Sequence, residues 1–169
     1  AANDGNTIIC ERSAGNYAGF GMQDGKISIL DGCGDDLGSF MRGGLIVVRG
    51  NAGLRVGGGM TGGIIVVDGD IGNDPGAGMT GGKIIVNGRC PNPPEGVVLR
   101  PITEVELADL NKQIDDSNFQ IPNDSVCLEP SIEGESNSDS KVVSAGDLSM
   151  IGLVPNNTQK IMPYATCDT

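Results

Sequence analysis

MRGGLIVVRGNAG at 41–53 returns as MTGGIIVVDGDIG at 60–72 and again as MTGGKIIVNG at 79–88, each copy 19 positions after the one before. The same register reaches back to Met22, so Met22, Met41, Met60 and Met79 form one column. Gly25, Gly44, Gly63 and Gly82 form a second column, and Gly19, Gly38, Gly57 and Gly76 a third. A period near 20 with one short apolar run per unit is the pattern of a solenoid, in which each repeat buries its apolar face on the next.

The apolar runs show which way each side chain faces. Ile27, Ile46, Ile65 and Ile84 stand in one column, and Ile29, Val48, Val67 and Val86 two residues further on. Residues two apart on a strand share a face, and these columns are apolar in every unit, so they are expected to point inward. The methionine column is expected to stack inside as a ladder, and the glycine columns to mark corners where the backbone needs positive φ or close packing. The alternate positions vary: Lys26 and Ser28, Leu45 and Val47, Ile64 and Val66, Lys83 and Ile85. They are expected to point outward. Leu45, Val47, Ile64, Val66 and Ile85 would then make an apolar patch, and such a patch marks something that lies on it. The occupants to consider are the C-terminal segment of this chain and another subunit.

Composition agrees with a solenoid. Aromatic residues are 3% with no Trp, too few for a conventional core of large rings. Glycine is abundant at 28 of 169 residues but has no triplet period, so it marks turns and not a collagen-like fibre. The net charge of −11 disfavours nucleic acid and anionic membrane surfaces as partners. No apolar run is long enough to span a membrane and no signal peptide is recognisable, so the cytoplasm is the expected compartment. The cysteines at 10, 33, 90, 127 and 167 have no CxxC or metal-ligand spacing. Cys10, Cys33 and Cys90 fall in apolar columns of the repeat and are expected to act as small hydrophobes. Cys33 and Cys90 would lie three turns apart, about 14 Å, too far for a disulfide.

Outside the repeat, residues 3–12 look like an incomplete earlier turn with Ile8 and Cys10 in the inward columns. Either earlier turns or another subunit is therefore expected to cover that end. The repeat stops at Pro91-Asn92-Pro93-Pro94. Thr103 and Glu106 have capping-box spacing, and Leu107, Leu110 and Ile114 share a helical face, which predicts a helix over about 104–114. Residues 125–129 are expected to form a strand, 132–141 an acidic mobile loop, and 142–169 an extended arm. The expected architecture is mainly β: a parallel solenoid over 1–90, an extension with a short helix over 91–130, and an acidic loop and tail over 131–169.

The motifs that would carry chemistry have simpler readings. Gly57-x-Gly59-x-x-Gly62 and Gly76-x-Gly78-x-x-Gly81 match the dinucleotide-binding form, but each is followed by a strand and not by a helix. Lys83 follows Gly82 without the remainder of a phosphate-binding loop. Asp68, Asp70 and Asp74 suggest a calcium site, yet no aspartate column runs through the other turns, so a solvated turn is the better reading. The acceptor-like Asn156-Asn157-Thr158 has meaning only in a secreted chain. The chain has no histidine and no nucleophile elbow. The residues therefore give no catalytic, metal or cofactor site, and a chain binding no flavin, nucleotide or metal is expected.

The repeated Gly-x-x-Met-x-Gly-Gly-x-Ile-x-Val-x-Gly pattern of residues 41–53, 60–72 and 79–88 resembles the family known for GXGXG motifs. That family includes the C-terminal domain of the glutamate synthase large subunit, its stand-alone archaeal relatives, and one of the subunits of formylmethanofuran dehydrogenase. The resemblance covers about half of the chain, and Pro94 to Leu107 looks more like the stand-alone glutamate-synthase type. It implies a right-handed parallel β-helix acting as a non-catalytic scaffold, with flavin, iron–sulfur or molybdopterin centres in partner subunits. No family catalytic residue maps onto this sequence. Some stand-alone relatives are labelled esterases, a reading the missing histidine disfavours. A ligand-binding or acyltransferase-type β-helix steps by hexapeptides, which 19 does not fit. A homo-oligomer is a further expectation, through the strand edge of the first turn.

Overall fold

The computed structural model describes residues 4–132. Five strands stack in parallel: β1 (Thr7–Cys10), β2 (Lys26–Ile29), β3 (Leu45–Val48), β4 (Thr61–Val67) and β5 (Gly81–Val86). Their register is the sequence period itself, Ile8 against Ile27, Ile27 against Ile46, Ile46 against Ile65 and Ile65 against Ile84. The fold is a β-solenoid of about four turns with 19-residue spacing. Hydrogen bonds between turns continue around the corners, as from Ala52 N to Asp70 O and from Gly57 N to Leu37 O. Each turn is thus tied to its neighbours along most of its length.

The interior holds the columns expected of it. Met22, Met41, Met60 and Met79 are buried together with Ile46, Ile65, Ile84, Val48, Val67 and Val86. Full burial of such a side chain stabilises by about 1.5–3 kcal/mol. The methionine and glycine columns turn out to be coupled. A Cβ built on Gly63 would lie 2.7 Å from Met41 Cε, and one on Gly44 would lie 2.6 Å from Met22 Cε. The methyls of Met22, Met41 and Met60 therefore fill the space left by the missing side chain of Gly44, Gly63 and Gly82 in the next turn. The same glycines have φ near +90°, a conformation that costs other residues energy.

The corners are held by side chains that accept from the turn that follows. Asn16 Oδ1 accepts from Asp35 N and Asp35 Oδ1 from Leu54 N, both at 2.8 Å. Asn51 Oδ1 accepts from Asp70 N at 2.8 Å and Asp70 Oδ1 from Arg89 N at 2.7 Å. Asp68 accepts from the Asn87 amide at 3.0 Å. Asp68 and Asp70 are therefore corner braces, and this gives the turn they were expected to form a structural role. One corner departs from its own column: Gly21, Gly59 and Gly78 share positive φ with Phe40, whose φ is 58°. The Phe40 ring lies over Gly59 and edge-to-face with Phe20, centroids 5.6 Å apart.

Past the proline run the chain adds two strands that the repeat does not foretell, β6 (Val97–Pro101) and β7 (Val126–Pro130). β7 pairs antiparallel with β5, and β6 pairs antiparallel with β7, so the sheet order is β1-β2-β3-β4-β5-β7-β6. Val97 and Leu128 join the interior cluster and plug that end of the solenoid. The expected strand at 125–129 is β7, one residue later, whereas no local signal marks β6. Between them lies α1 (Glu104–Ile114). The Thr103 side chain accepts from Glu106 N while Glu106 accepts from Thr103 N, which completes the capping box, and Asp115 ends the helix in the left-handed region at φ 49°. The acidic loop and extended arm expected beyond residue 132 lie outside the described residues.

Candidate functional site

The outward column decides what the solenoid offers to the rest of the chain. Leu45, Val47, Ile64, Val66 and Ile85 do share one face, and the structure places this chain's own α1 and its flanks on it. Leu45, Val47, Val66 and Ile85 form a buried cluster with Ile102, Leu110, Ile114, Phe119, Ile121 and Cys127, with Ile64 and Leu107 packed against it. Val66 is 2% exposed and Ile85 1%. As an interface for another subunit the patch is therefore already occupied. The physical reason is complementarity: the apolar stripe of α1 needs a surface, and three successive strands of the solenoid, β3, β4 and β5, supply one.

Basic side chains of the solenoid fix the helix in place. At its N-terminal end the Lys83 ammonium donates to the Glu106 carboxylate. Arg100, from β6, donates to both oxygens of the same carboxylate at 2.9 and 2.6 Å, and also to Glu129 of β7 at 2.6 Å. Arg100 and then Lys83 hold the Glu106 carboxyl far below the usual carboxylate range, against the opposing effect of burial. One carboxylate thus joins the last solenoid turn, the terminal strands and the helix cap. At the other end Lys26 Nζ donates to the Ile114 carbonyl, where the helix leaves acceptors unpaired. Arg49 donates to Asp116 at 3.1 Å and to Asn118 O at 3.3 Å, and its guanidinium lies 4.5 Å from the centre of the Phe119 ring.

Along the side of α1 runs a groove whose floor is the glycine corner column. One cavity of about 250 Å³ is lined by Gly63, Ile64, Gly82, Lys83, Glu106 and Leu110. A second, more open cavity of about 580 Å³ is lined by Gly25, Lys26, Gly44, Leu45, Ile64 and Gln113. The two share Gly63 and Ile64. Gly25, Gly44, Gly63 and Gly82, expected only to be corners, therefore also line a surface depression. The groove carries little chemistry of its own. Lys83, Glu106 and Lys26 have structural partners, and Leu45 and Ile64 are apolar walls.

Burial raises the Cys33 thiol to about 11 and the Cys127 thiol to about 12, which leaves little thiolate at neutral pH. The Arg55 guanidinium binds Asp36 through two bonds, 2.9 and 2.6 Å, and holds that carboxyl below its ordinary range. Among the described residues no group of three or more His, Cys, Asp or Glu could hold a metal ion. Among them also, no helix is long and apolar enough to cross a membrane.

Sequence reasoning placed Glu106 in the capping box but missed its ion pairs, and it missed the other residues that fix the helix: Lys26, Arg49, Lys83, Arg100 and Glu129. One signal was present in the columns. Lys26, Leu45, Ile64 and Lys83 share an outward column, with a cation on each side of an apolar pair, and that spacing matches a short amphipathic helix laid along the stack. Comparisons with protein-family models, with curated protein sequences and with solved structures found no match.

Proposed function

We propose that this chain is a non-catalytic scaffold, a structural subunit or domain of a multi-subunit oxidoreductase of the glutamate-synthase type. The observation that carries the reading is the coupling of the motif to the fold. Each Gly-x-x-Met-x-Gly-Gly-x-Ile-x-Val unit forms one turn of the solenoid, and Met41 and Met60 seat against Gly63 and Gly82 of the turn that follows. The segment from Pro94 to Leu107, which resembles the stand-alone branch, supplies β6 and the start of α1. Such a stack is a stiff spacer. Four steps between five strands span about 19 Å at the usual strand separation, and bonds around the corners resist shear. The charged groups at the helix brace the structure and are not poised to react. In this reading flavin, iron–sulfur or molybdopterin chemistry belongs to partner subunits, and the cytoplasm is the compartment in which the free thiols of Cys10, Cys33, Cys90 and Cys127 are kept.

Affinity capture of the tagged full chain from cells of its source tests this reading. The expected result is stoichiometric recovery of a partner with a flavin or metal-centre spectrum, while the chain by itself shows none. A purified chain that turns over a short-chain ester, and loses that activity on a single substitution, would refute the scaffold reading.

A further inference from the structure

We propose that residues 102–125 form a lid that opens as a unit from the apolar face of the solenoid while β6 and β7 stay paired. The topology favours this motion. Pro101 and Val126, at the two ends of the segment, are partners in the β6–β7 register, so the segment leaves and returns at neighbouring points. Lifting it breaks no rung of the sheet, because α1 is absent from the strand order.

The attachments are of a kind that can be released together. Polar bonds that hold α1 and the residues after it to the rest of the fold include those from the side chains of Lys26, Arg49 and Lys83 in the solenoid and of Arg100 in β6. The apolar contacts form a cluster separate from the solenoid interior, so exposing Leu45, Val47, Val66 and Ile85 leaves the methionine ladder untouched. Cavities also lie between the segment and the solenoid, lined on one side by Asp109, Leu110 and Gln113 and on the other by Gly63, Ile64 and Leu45. Opening of β4, by contrast, must break its pairing with β3 and β5 on both sides. Segments with fewer such ties open at lower free energy than the global transition. The lid rests on topology, hydrogen bonds and packing and stands whether or not the scaffold reading holds.

Hydrogen exchange on the full-length chain at neutral pH tests it. The amides of α1 are expected to exchange at least about 10-fold faster than the protected amides of β4. Glu106→Gln and Arg49→Ala should each speed α1 exchange by roughly a further 10- to 100-fold, as expected for losing a hydrogen bond to a charged group. The amides of β3, β4 and β5, which open in the global transition, should lose protection by no more than α1 does, so that α1 remains the faster exchanger in both variants. One shared protection for α1 and β4 in the unaltered chain, or variants that leave α1 exchange unchanged, would overturn the lid. Should Glu106→Gln fail to fold, Arg49→Ala at the far end of the helix carries the same comparison.

Discussion

Val66 and Val67 are adjacent, chemically identical and both buried, yet they should respond to lysine in different ways. Val67 lies inside the stack with Val48 and Val86 and is 0% exposed. Val67→Lys would put an ammonium where every neighbour is apolar and no strand can move aside. The effective cost of an unpaired buried charge is several kcal/mol, to which the lost valine burial adds about 1.5 kcal/mol or more. Against a total stability of about 5–15 kcal/mol, that variant should be unfolded or insoluble. Val66 is equally covered at 2% exposed, but by the helix segment and not by the next turn. In Val66→Lys the ammonium reaches water once that segment lifts, so the cost is capped at the free energy of undocking. Far-ultraviolet circular dichroism should show the β-sheet retained in Val66→Lys and lost in Val67→Lys. Limited proteolysis should cut Val66→Lys within residues 102–125 under conditions that leave this segment of the unaltered chain intact. If Val66→Lys loses the sheet and Val67→Lys keeps it, the inward and outward assignments are reversed. If Val66→Lys keeps α1 fully protected, the helix does not depend on that face.

Two further perturbations follow from particular contacts. The Glu106 carboxyl titrates below its unfolded value because Arg100 and Lys83 bind its charged form; its contribution is therefore fully present above about pH 4.5 and is lost as the pH falls further. Protection of α1 measured by hydrogen exchange should weaken on acidification through that range, and Glu106→Gln should flatten the dependence; an unchanged profile in the variant would count against the contact. Gly63→Ala and Gly78→Ala both place a side chain at positive φ, φ 90° and 73°, at a cost of about 1–2 kcal/mol each. Gly78 has no atom within 4 Å of the added carbon, whereas Gly63 meets Met41 Cε at 2.7 Å and the Gly43 carbonyl carbon at 3.0 Å. Overpacking should cost Gly63→Ala about another 1–3 kcal/mol, so its Tm should fall clearly further; equal melting points would refute the methionine–glycine coupling.

The solenoid was legible because it is stated four times. A residue such as Ile65 is paired with Ile46 and Ile84 by the period alone, and the alternation within each strand separates Val67 from Val66. Helix α1 was legible for a local reason, since its capping box and its Leu107, Leu110 and Ile114 stripe lie within a dozen residues. β6 had no such signal. Val97 to Pro101 occurs once, and its partner β7 comes only after the whole of α1.

The candidate site divides in the same way. The sequence by itself determined that Leu45, Val47, Ile64, Val66 and Ile85 share a face, because strand geometry makes orientation a property of position. It left open what lies on that face, another subunit or this chain, because a covering surface is a long-range choice between apolar stripes with no fixed separation. Only the tertiary structure decided that α1 runs back along the stack, with Lys83 and Arg100 on Glu106 at one end and Lys26 and Arg49 at the other. Those bonds join residues up to 88 positions apart. Their energy exists only once both partners are held by elements that each fold for reasons of their own.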